Sequence, residues 1–247
     1  MTEFIQTKAQ DGIFHIQFAR QQAKNAISLD MYQRMVDELT KFENDDSHSV
    51  AVIYGDENCF TAGNDLADFL AGGQLTESHP TVKFLFTLAQ LKKPLIAAVA
   101  GPAIGIGTTL LLHCDLVYAA DNSVLQLPFA QLGLCPEAAS SLLLPQQIGH
   151  QRAFELLVLG QKFDAESAKQ FGFVNQVTSP NNVVATALVN AKALVDLSSE
   201  AVTSSKSLMK KSNQQKVEET IRLELQYFDK LMNSEQCKQI ISQFFKR

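Results

Sequence analysis

Residues 94–114 read PLIAAVAGPAIGIGTTLLLHC, a stretch without Asp, Glu, Lys or Arg. The stretch is about long enough to cross a bilayer. However, two prolines and three glycines interrupt it and Asp115 follows directly, whereas a spanning helix needs an unbroken ladder of backbone hydrogen bonds. We therefore predict a buried strand, a glycine turn and a buried helix over these residues.

The segments around this stretch alternate between strand and helix patterns. Residues 4–7 and 13–18 flank Asp11 and Gly12, a pair that predicts a hairpin, and Ser28 is a predicted helix N-cap. The apolar spacing predicts helices at 31–42 and 82–91, and strands at 49–54, 95–99, 116–119 and 124–127. Such alternation favours a mainly parallel sheet with covering helices, wound as a right-handed ββα repeat.

Beyond Pro145 the pattern becomes almost entirely helical. The predicted helices lie at 151–159, 165–171, 183–196, 200–211, 217–231 and 234–245. No linker rich in Pro, Gly or Ser and no fixed-period repeat separates the two parts. We therefore expect a single α/β domain over residues 1–247, with a core at about 1–195 and a helical C-terminal region at about 196–247.

The composition restricts the class of protein. Of the 247 residues, 46% are hydrophobic and 19% are charged, as in compact globular proteins. The formal charge of −5 provides no attraction to nucleic acid or to an anionic membrane, so we expect neither as a partner. Four cysteines without a CxxC pair favour a reducing compartment and no zinc site. Because the first residues lack the pattern of a signal peptide, we expect a cytoplasmic protein.

Three loops carry residues that could take part in chemistry. The first loop is CFTAGNDL, residues 59–66, in which Gly63 permits a tight turn that leaves the N–H of Asn64 pointing outward. Taken alone, such a loop is more often a simple turn than a site.

The second loop is the glycine turn after the strand at 95–99. It opens a helix, and a helix N-terminus has free N–H groups and a positive partial charge that suit an anion. Nucleotide phosphate is disfavoured, because the P-loop residues are absent and Leu110 breaks the GxGxxG pattern. Close packing of the strand against the helix is the alternative explanation.

The third loop places Glu137 among apolar residues, including Leu134, Leu142 and Leu143. A carboxylate desolvated in this way has a raised pKa, which suits a general base near neutral pH. The alternative is an ordinary stabilising acid in the first turn of a helix.

In this order and spacing, the three loops resemble those of the crotonase, or enoyl-CoA hydratase/isomerase, superfamily. The similarity runs from Phe14 to about Val177 and includes residues 23–26, 114–118 and 165–177. The resemblance implies a crotonase-like spiral of ββα units, a helical C-terminal layer that forms a homotrimer or a dimer of trimers, and an acyl-CoA substrate. It implies no metal and no separate cofactor, since coenzyme A is part of the substrate.

The resemblance also implies roles for particular residues. Asn64 and Ile106 match the family's two backbone N–H donors, which form an oxyanion hole for the thioester oxygen. The two glutamates of family hydratases are replaced here by Thr109 and Phe129, neither of which can replace a carboxylate. Glu137 matches the single catalytic glutamate of the delta(3)-delta(2)-enoyl-CoA isomerases. Residues 63–66, 101–106, 128–133 and 136–141 resemble the peroxisomal-type branch of these isomerases.

Further contacts with the acyl-CoA are implied less directly. The candidate binding residues are Lys24, Ala26, Ala62, Gly63, Asp65, Leu66 and Gly105. Lys206, Lys210 and Lys211 are a second basic group for the phosphates, with a solvated helix face as the alternative. We expect Asp65 and Asp115 to be turn or capping residues, and His113 to be a packed helix residue, none of them catalytic.

Three kinds of function stay open on the sequence. The first is the isomerase, in which Glu137 moves a proton from C2 to C4 of an unsaturated fatty acyl-CoA while the oxyanion hole holds a dienolate. The second is a hydratase-like enzyme of other activity, such as diene isomerisation or thioester hydrolysis. The third is a catalytically silent acyl-CoA-binding protein. The acyl chain length, which we expect residues 66–80 to influence, does not follow from the sequence.

Overall fold

The structure is a computed structural model that describes residues 4–71 and 73–244. Its strands are β1 (Ile5–Gln10), β2 (Ile13–Phe18), β3 (Val50–Tyr54), β4 (Leu95–Val99), β5 (Pro102–Ile104), β6 (Leu116–Ala120), β7 (Val124–Gln126), β8 (Phe163–Asp164) and β9 (Gln176–Thr178). One sheet has the order β1-β2-β3-β4-β6-β9, and a smaller one the order β5-β7-β8. Every pairing in the larger sheet except β1 with β2 is parallel, which confirms the predicted mainly parallel sheet.

The hairpin predicted around Asp11 and Gly12 is confirmed. Strands β1 and β2 pair in antiparallel register, with Gln10 opposite Ile13 at the closed end. Asp11 and Gly12 have φ angles of 53° and 78°, and a tight two-residue turn of this kind needs positive φ at both central residues. The first strand extends beyond the predicted residues 4–7, because this turn carries the pairing to Gln10.

The helices are α1 (Leu29–Asn44), α2 (Leu66–Ala71), α3 (Pro80–Gln90), α4 (Ile106–Thr109), α5 (Ser140–Ile148), α6 (His150–Phe154), α7 (Ala165–Gln170), α8 (Val183–Val195), α9 (Ser199–Lys210), α10 (Gln214–Met232) and α11 (Glu235–Phe244). The Oγ of Ser28 accepts a hydrogen bond from the N–H of Met31, which confirms the predicted cap of α1. Across the described ranges, no helix is long and apolar enough to cross a membrane.

The structure differs from the predicted secondary structure in three places in the second half of the chain. Helix α5 was not among the predicted helices, and Pro145 lies inside it. The buried Leu144 packs it into the core, and tertiary packing outweighs the one missing N–H. The single helix expected at 151–159 is α6 followed by a π-helical turn, Glu155–Leu159. Strands β8 and β9 interrupt the helical region, and β9 forms an edge of the larger sheet. Phe245, the predicted end of the last helix, lies outside the described residues.

Both faces of the larger sheet are covered, which explains why its strands read as continuous apolar runs. Along β3, Ala51 and Ile53 belong to a core that also contains side chains of α1, α3 and α10. Val50, Val52 and Tyr54 belong to a second core, against α8. The alternation of a β-strand therefore divides one apolar run between two buried layers.

The glycine turn after β4 lies directly against the first loop. Gly101 has a φ of 64°, and a Cβ atom there would lie 1.9 Å from the carbonyl oxygen of Asn58. The N–H of Thr61 donates to Pro102, and Thr61 in turn accepts from the N–H of Ile104. Two loops separated by some forty residues in sequence are thereby joined backbone to backbone.

We predict that Gly101→Ala destabilises the protein far more than Gly172→Ala. Both glycines have positive φ, but a Cβ at Gly172 meets nothing within 4 Å. Gly172→Ala should therefore cost about 1–2 kcal/mol of backbone strain, and Gly101→Ala about 3 kcal/mol more from the steric clash. Thermal unfolding followed by circular dichroism measures the difference. Equal losses in the two variants would contradict the close approach of the loops.

Candidate active site

Glu137 precedes α5 and is buried, with 4% of its surface exposed. It does not lie in the first turn of a helix, the alternative raised by the sequence, because α5 begins only at Ser140. The hydroxyl of Thr109, at the end of α4, donates a hydrogen bond of 2.5 Å to Oε1 of Glu137. Thr109, which the resemblance matches to a hydratase glutamate, is thus a hydrogen-bond donor to Glu137.

Burial raises the pKa of Glu137 to about 8, because few water molecules can solvate its charge. The hydrogen bond from Thr109 opposes this rise, and the negative charge of Glu224 adds to it. The desolvated carboxyl predicted from the sequence is therefore present. A carboxyl group with a pKa near neutral can both accept a proton from a weak carbon acid and return it.

The first loop holds Asn64 on both sides while leaving its N–H unused. The neighbouring Gly63 accepts from the N–H of Ile27, and the carbonyl of Ile27 accepts from the N–H of Asp65. The side-chain oxygen of Asn64 accepts a 2.5 Å hydrogen bond from the hydroxyl of Tyr32. Within residues 4–71 and 73–244, the backbone N–H of Asn64 donates to no protein group.

The second loop presents a comparable backbone group. Gly105 has a φ of 57° and precedes Ile106, the first residue of α4. As at Asn64, the N–H of Ile106 has no acceptor in the described part of the chain, as expected at a helix N-terminus. Gly107 allows α4 to pack against the first loop, since a Cβ there would lie 2.5 Å from Cγ2 of Thr61. Both explanations of this glycine turn, close packing and free N–H groups, therefore hold.

Two adjoining pockets bring several of the predicted residues together, although Ile106 lines neither of them. One is lined by Glu137, Asn64 and Asp65 together with Tyr32. The other is lined by Ala62, Gly63, Asn64, Leu66, Gly105 and Phe129, among others. Asn64 and Phe228 line both pockets. The base, the first backbone donor and an apolar cavity are thus continuous.

Two of the candidate binding residues lie outside these pockets. Lys24 is exposed and lines a separate surface hollow with Gln21, Asp56 and Asn58. Ala26 lines no pocket in the described structure, and its carbonyl oxygen accepts a hydrogen bond from Arg20. Contacts of Lys24 and Ala26 with coenzyme A stay predictions.

Lys206 corrects the interpretation of the second basic group. It is 7% exposed and neither lies on a solvated helix face nor is free to meet a phosphate. Its Nζ donates to the carbonyl of Lys93 and, at 2.7 Å, to Oδ2 of Asp115. The reason is tertiary: α9 packs so that this buried lysine reaches the carboxylate of Asp115, a placement that helical periodicity alone does not reveal.

Asp65 and His113 have the structural roles expected from the sequence, a helix cap and a packed residue, whereas Asp115 joins strand β4 to α9 and caps no helix in the described structure. Asp65 pairs with Arg20 at 2.6 Å, and its Oδ1 accepts from the N–H groups that open α2. Asp115 also accepts from the N–H of Leu95. His113 is 3% exposed, and its Nε2 is 2.8 Å from the carbonyl oxygen of Ala138.

Helices α1 and α10 contribute pocket residues that the sequence did not reveal. Tyr32, Phe228 and Met232 all line the pocket that contains Glu137. Their spacing indicates only the buried face of an amphipathic helix, which is equally typical of a core. No local motif distinguishes a helix that covers a core from one that also covers a pocket.

The geometry of this site is typical of one class of protein. A buried base with a pKa near 8 lies beside a backbone N–H that can stabilise a developing oxyanion. This combination suits proton removal from a carbon next to a carbonyl group.

Comparison with known proteins agrees with this class. The chain belongs to the enoyl-CoA hydratase/isomerase family, whose sequence model matches residues 8–247. OdaA of Pseudomonas aeruginosa is 39% identical, with a TM-score of 0.97 and full coverage of both chains. An enoyl-CoA hydratase/isomerase of Pseudoalteromonas atlantica is 33% identical, with a TM-score of 0.95 and coverage of 99% of this chain and 97% of the other. The crotonase fold is therefore confirmed.

One curated relative has a more specific name than these two structures, but it is longer than this chain. Enoyl-CoA delta isomerase 2 of Rattus norvegicus is 32% identical over 245 residues, which cover 97% of this chain and 62% of the relative. The chain thus spans about three fifths of the length of that relative.

We predict that Thr109→Val raises the pKa of Glu137 above its value of about 8. The hydroxyl stabilises the charged carboxylate, and valine has a similar shape without the donor. Carbon-13 NMR of glutamate-labelled protein, titrated with pH and assigned with Glu137→Gln, measures this pKa. Thr109→Ser keeps the hydroxyl and should retain the original value. An unchanged pKa in Thr109→Val would exclude the hydrogen bond as a determinant of the titration.

Proposed function

We propose that the protein is a delta(3)-delta(2)-enoyl-CoA isomerase that acts on unsaturated fatty acyl-CoA. The proposal rests on one observation about Glu137. Of the described carboxyl groups that line the pocket with Asn64, it is the one that is buried and has a strongly raised pKa. Asp65, which lines the same pocket, is held by Arg20 and by the start of α2. One group is thus available to move a proton, and double-bond transposition needs only one.

The proposed reaction begins with ionised Glu137. It removes a proton from C2 of the 3-enoyl-CoA, and the electron pair of that C–H bond moves towards the thioester to form a dienolate. C4 of the dienolate then takes the proton from the carboxyl group of Glu137. The C2–C3 double bond forms, the C3–C4 double bond is lost, and the carboxylate is regenerated. No water, metal or redox cofactor enters this balance.

Two backbone donors would stabilise the dienolate. The N–H groups of Asn64 and Ile106 have no protein acceptor in the described structure, so both are available to the thioester oxygen. Each donor aligned with a developing oxyanion contributes on the order of 3 kcal/mol to the transition state. The two loops are hydrogen-bonded to each other, and these bonds hold the residues that carry both donors.

Hydration of a 2-enoyl-CoA is disfavoured by the same residues. Adding water across a double bond requires one group to activate the water and another to deliver a proton. Thr109 is already hydrogen-bonded to Glu137, and Phe129 is apolar and 4% exposed. A catalytically silent acyl-CoA-binding protein would have no need of a buried carboxyl whose pKa lies near neutral. Assembly as a homotrimer, or a dimer of trimers, and a cytoplasmic location stay predictions.

We predict that Glu137→Gln lowers the isomerisation rate at least about 1000-fold while acyl-CoA still binds. Glutamine has nearly the same shape but cannot accept the C2 proton. The assay offers 3-enoyl-CoA and 2-enoyl-CoA separately and follows conjugation and hydration. Glu166→Gln, at an exposed position of α7, is the matched control and should be fully active. Hydration by the wild-type protein, or an active Glu137→Gln, would contradict the proposal.

We also predict that kcat/KM for 3-enoyl-CoA rises with pH through about 8. The base must be ionised in the free enzyme, and burial holds the pKa of Glu137 at about 8. Below that pH the carboxyl is protonated, so activity should fall about tenfold per pH unit. A profile that is flat between pH 6 and 8 would show that another group is the base.

A further inference from the structure

The backbone immediately after Glu137 is strained. Ala138 and Ala139 have φ angles of 59° and 55°, in the left-handed region. For residues with a Cβ atom this conformation is unfavourable, because the Cβ lies too close to the backbone. Such a turn persists only where surrounding contacts hold it, so the contacts of these alanines decide where the carboxyl of Glu137 lies.

Glu224, on helix α10, accepts hydrogen bonds from this turn and from the start of α5. It is 6% exposed, and its Oε2 accepts from the N–H of Ala139 at 2.6 Å. Its Oε1 accepts from both the N–H and the hydroxyl of Ser141, at 2.9 and 2.5 Å. On the other side of the turn, Nε2 of His113 contacts the carbonyl oxygen of Ala138. Both oxygens of Glu224 are thus acceptors, which is the arrangement of a carboxylate.

We propose that Glu224 is a positioning residue for catalysis, which fixes the strained turn that carries Glu137 and places a second negative charge near it. The inference rests on the proposed function of Glu137 as the base. Glu224 lies more than eighty residues along the chain from Glu137 and belongs to the helical region beyond the α/β core. That region would then contribute to the chemistry as well as to packing.

Glu224 is the charged neighbour of Glu137, whereas Tyr32, Cys135 and His113 are neutral. Burial raises the pKa of Tyr32 and of Cys135, so both stay neutral near pH 7. Burial lowers the pKa of His113 to about 4, so this side chain is also neutral. Burial raises the pKa of Glu224 as well, but the hydrogen bonds from Ala139 and Ser141 favour its charged form. The carboxylate of Glu224 opposes ionisation of Glu137.

The remaining ionisable residues of the pocket are accounted for by other contacts. Asp65 is paired with Arg20, and Asp68 accepts from the N–H of Leu29. Nδ1 of His79 accepts from the N–H of Thr81. None of these groups contributes to the shifted pKa of Glu137, which arises from burial, Thr109 and Glu224.

A simpler role for Glu224 is to cap α5. That helix has no cap from its own N-cap side chain, and Glu224 accepts from N–H groups at its start. A cap alone would affect stability and leave the titration of Glu137 unchanged. The pH dependence therefore separates the two roles.

The test is Glu224→Gln, measured in the full-length protein. The plateau of kcat should fall about 10- to 100-fold, because a small misplacement of a catalytic group has effects of this size. The ascending limb of the pH profile should move to lower pH, because the opposing charge is gone. KM should change little. Glu219→Gln, an exposed position on the same helix, is the matched control and should resemble the wild type.

Two further measurements test the proposal if Glu224→Gln does not fold or if the isomerase assay fails. Ser141→Ala removes one donor to Glu224 without changing any charge. In this variant kcat should therefore fall while the pKa of Glu137 stays near 8. The variant replaces Glu224→Gln if the latter does not fold. Carbon-13 NMR titration of Glu137 needs no turnover, so it tests the charge effect even if the isomerase assay fails. An unshifted pKa of Glu137 in a folded Glu224→Gln, or an unchanged kcat in Ser141→Ala, would overturn the proposal.

Discussion

The contact between two glycine-containing loops is the constraint on which the site depends. A Cβ at Gly63 would lie 2.8 Å from the carbonyl oxygen of Ile104, and Cβ atoms at Gly101 and Gly107 would lie even closer to the first loop. The backbones can therefore meet only where side chains are absent. This approach places the N–H groups of Asn64 and Ile106 in loops that are hydrogen-bonded to each other, and it fixes the start of α4, whose last residue, Thr109, holds Glu137.

The second determinant is the burial of a carboxyl group. Placing Glu137 in the interior works against its charge, and only Thr109 among its described neighbours donates to its side chain. His113 and Glu224 hold the backbone in place here, since each of them contacts the strained turn that follows the base. Such a concentration of unfavourable features is expected where function, and not stability, has shaped the local structure.

Much of this arrangement was predictable from short-range patterns. The hairpin at Asp11 and Gly12, the strand at 95–99 and the turn at Gly101 each follow from local chemistry, and Glu137 stands out as an isolated acid among leucines. Three features were not predictable: the ion pair of the buried Lys206 with Asp115, the helix that continues through Pro145 and the contacts of Glu224. Each depends on partners far away in sequence, and a buried lysine or glutamate on an amphipathic helix has the same spacing as a solvated one.

The most direct test of the central claim follows the proton itself. A 3-enoyl-CoA that carries deuterium at both C2 positions is converted in ordinary water under single-turnover conditions, and the 2-enoyl-CoA product is analysed by NMR and mass spectrometry. If one buried carboxyl takes the proton from C2 and returns it to C4, a substantial part of the label should appear at C4. A C4 hydrogen that comes entirely from solvent, or a hydrated product, would contradict a single shielded base at Glu137.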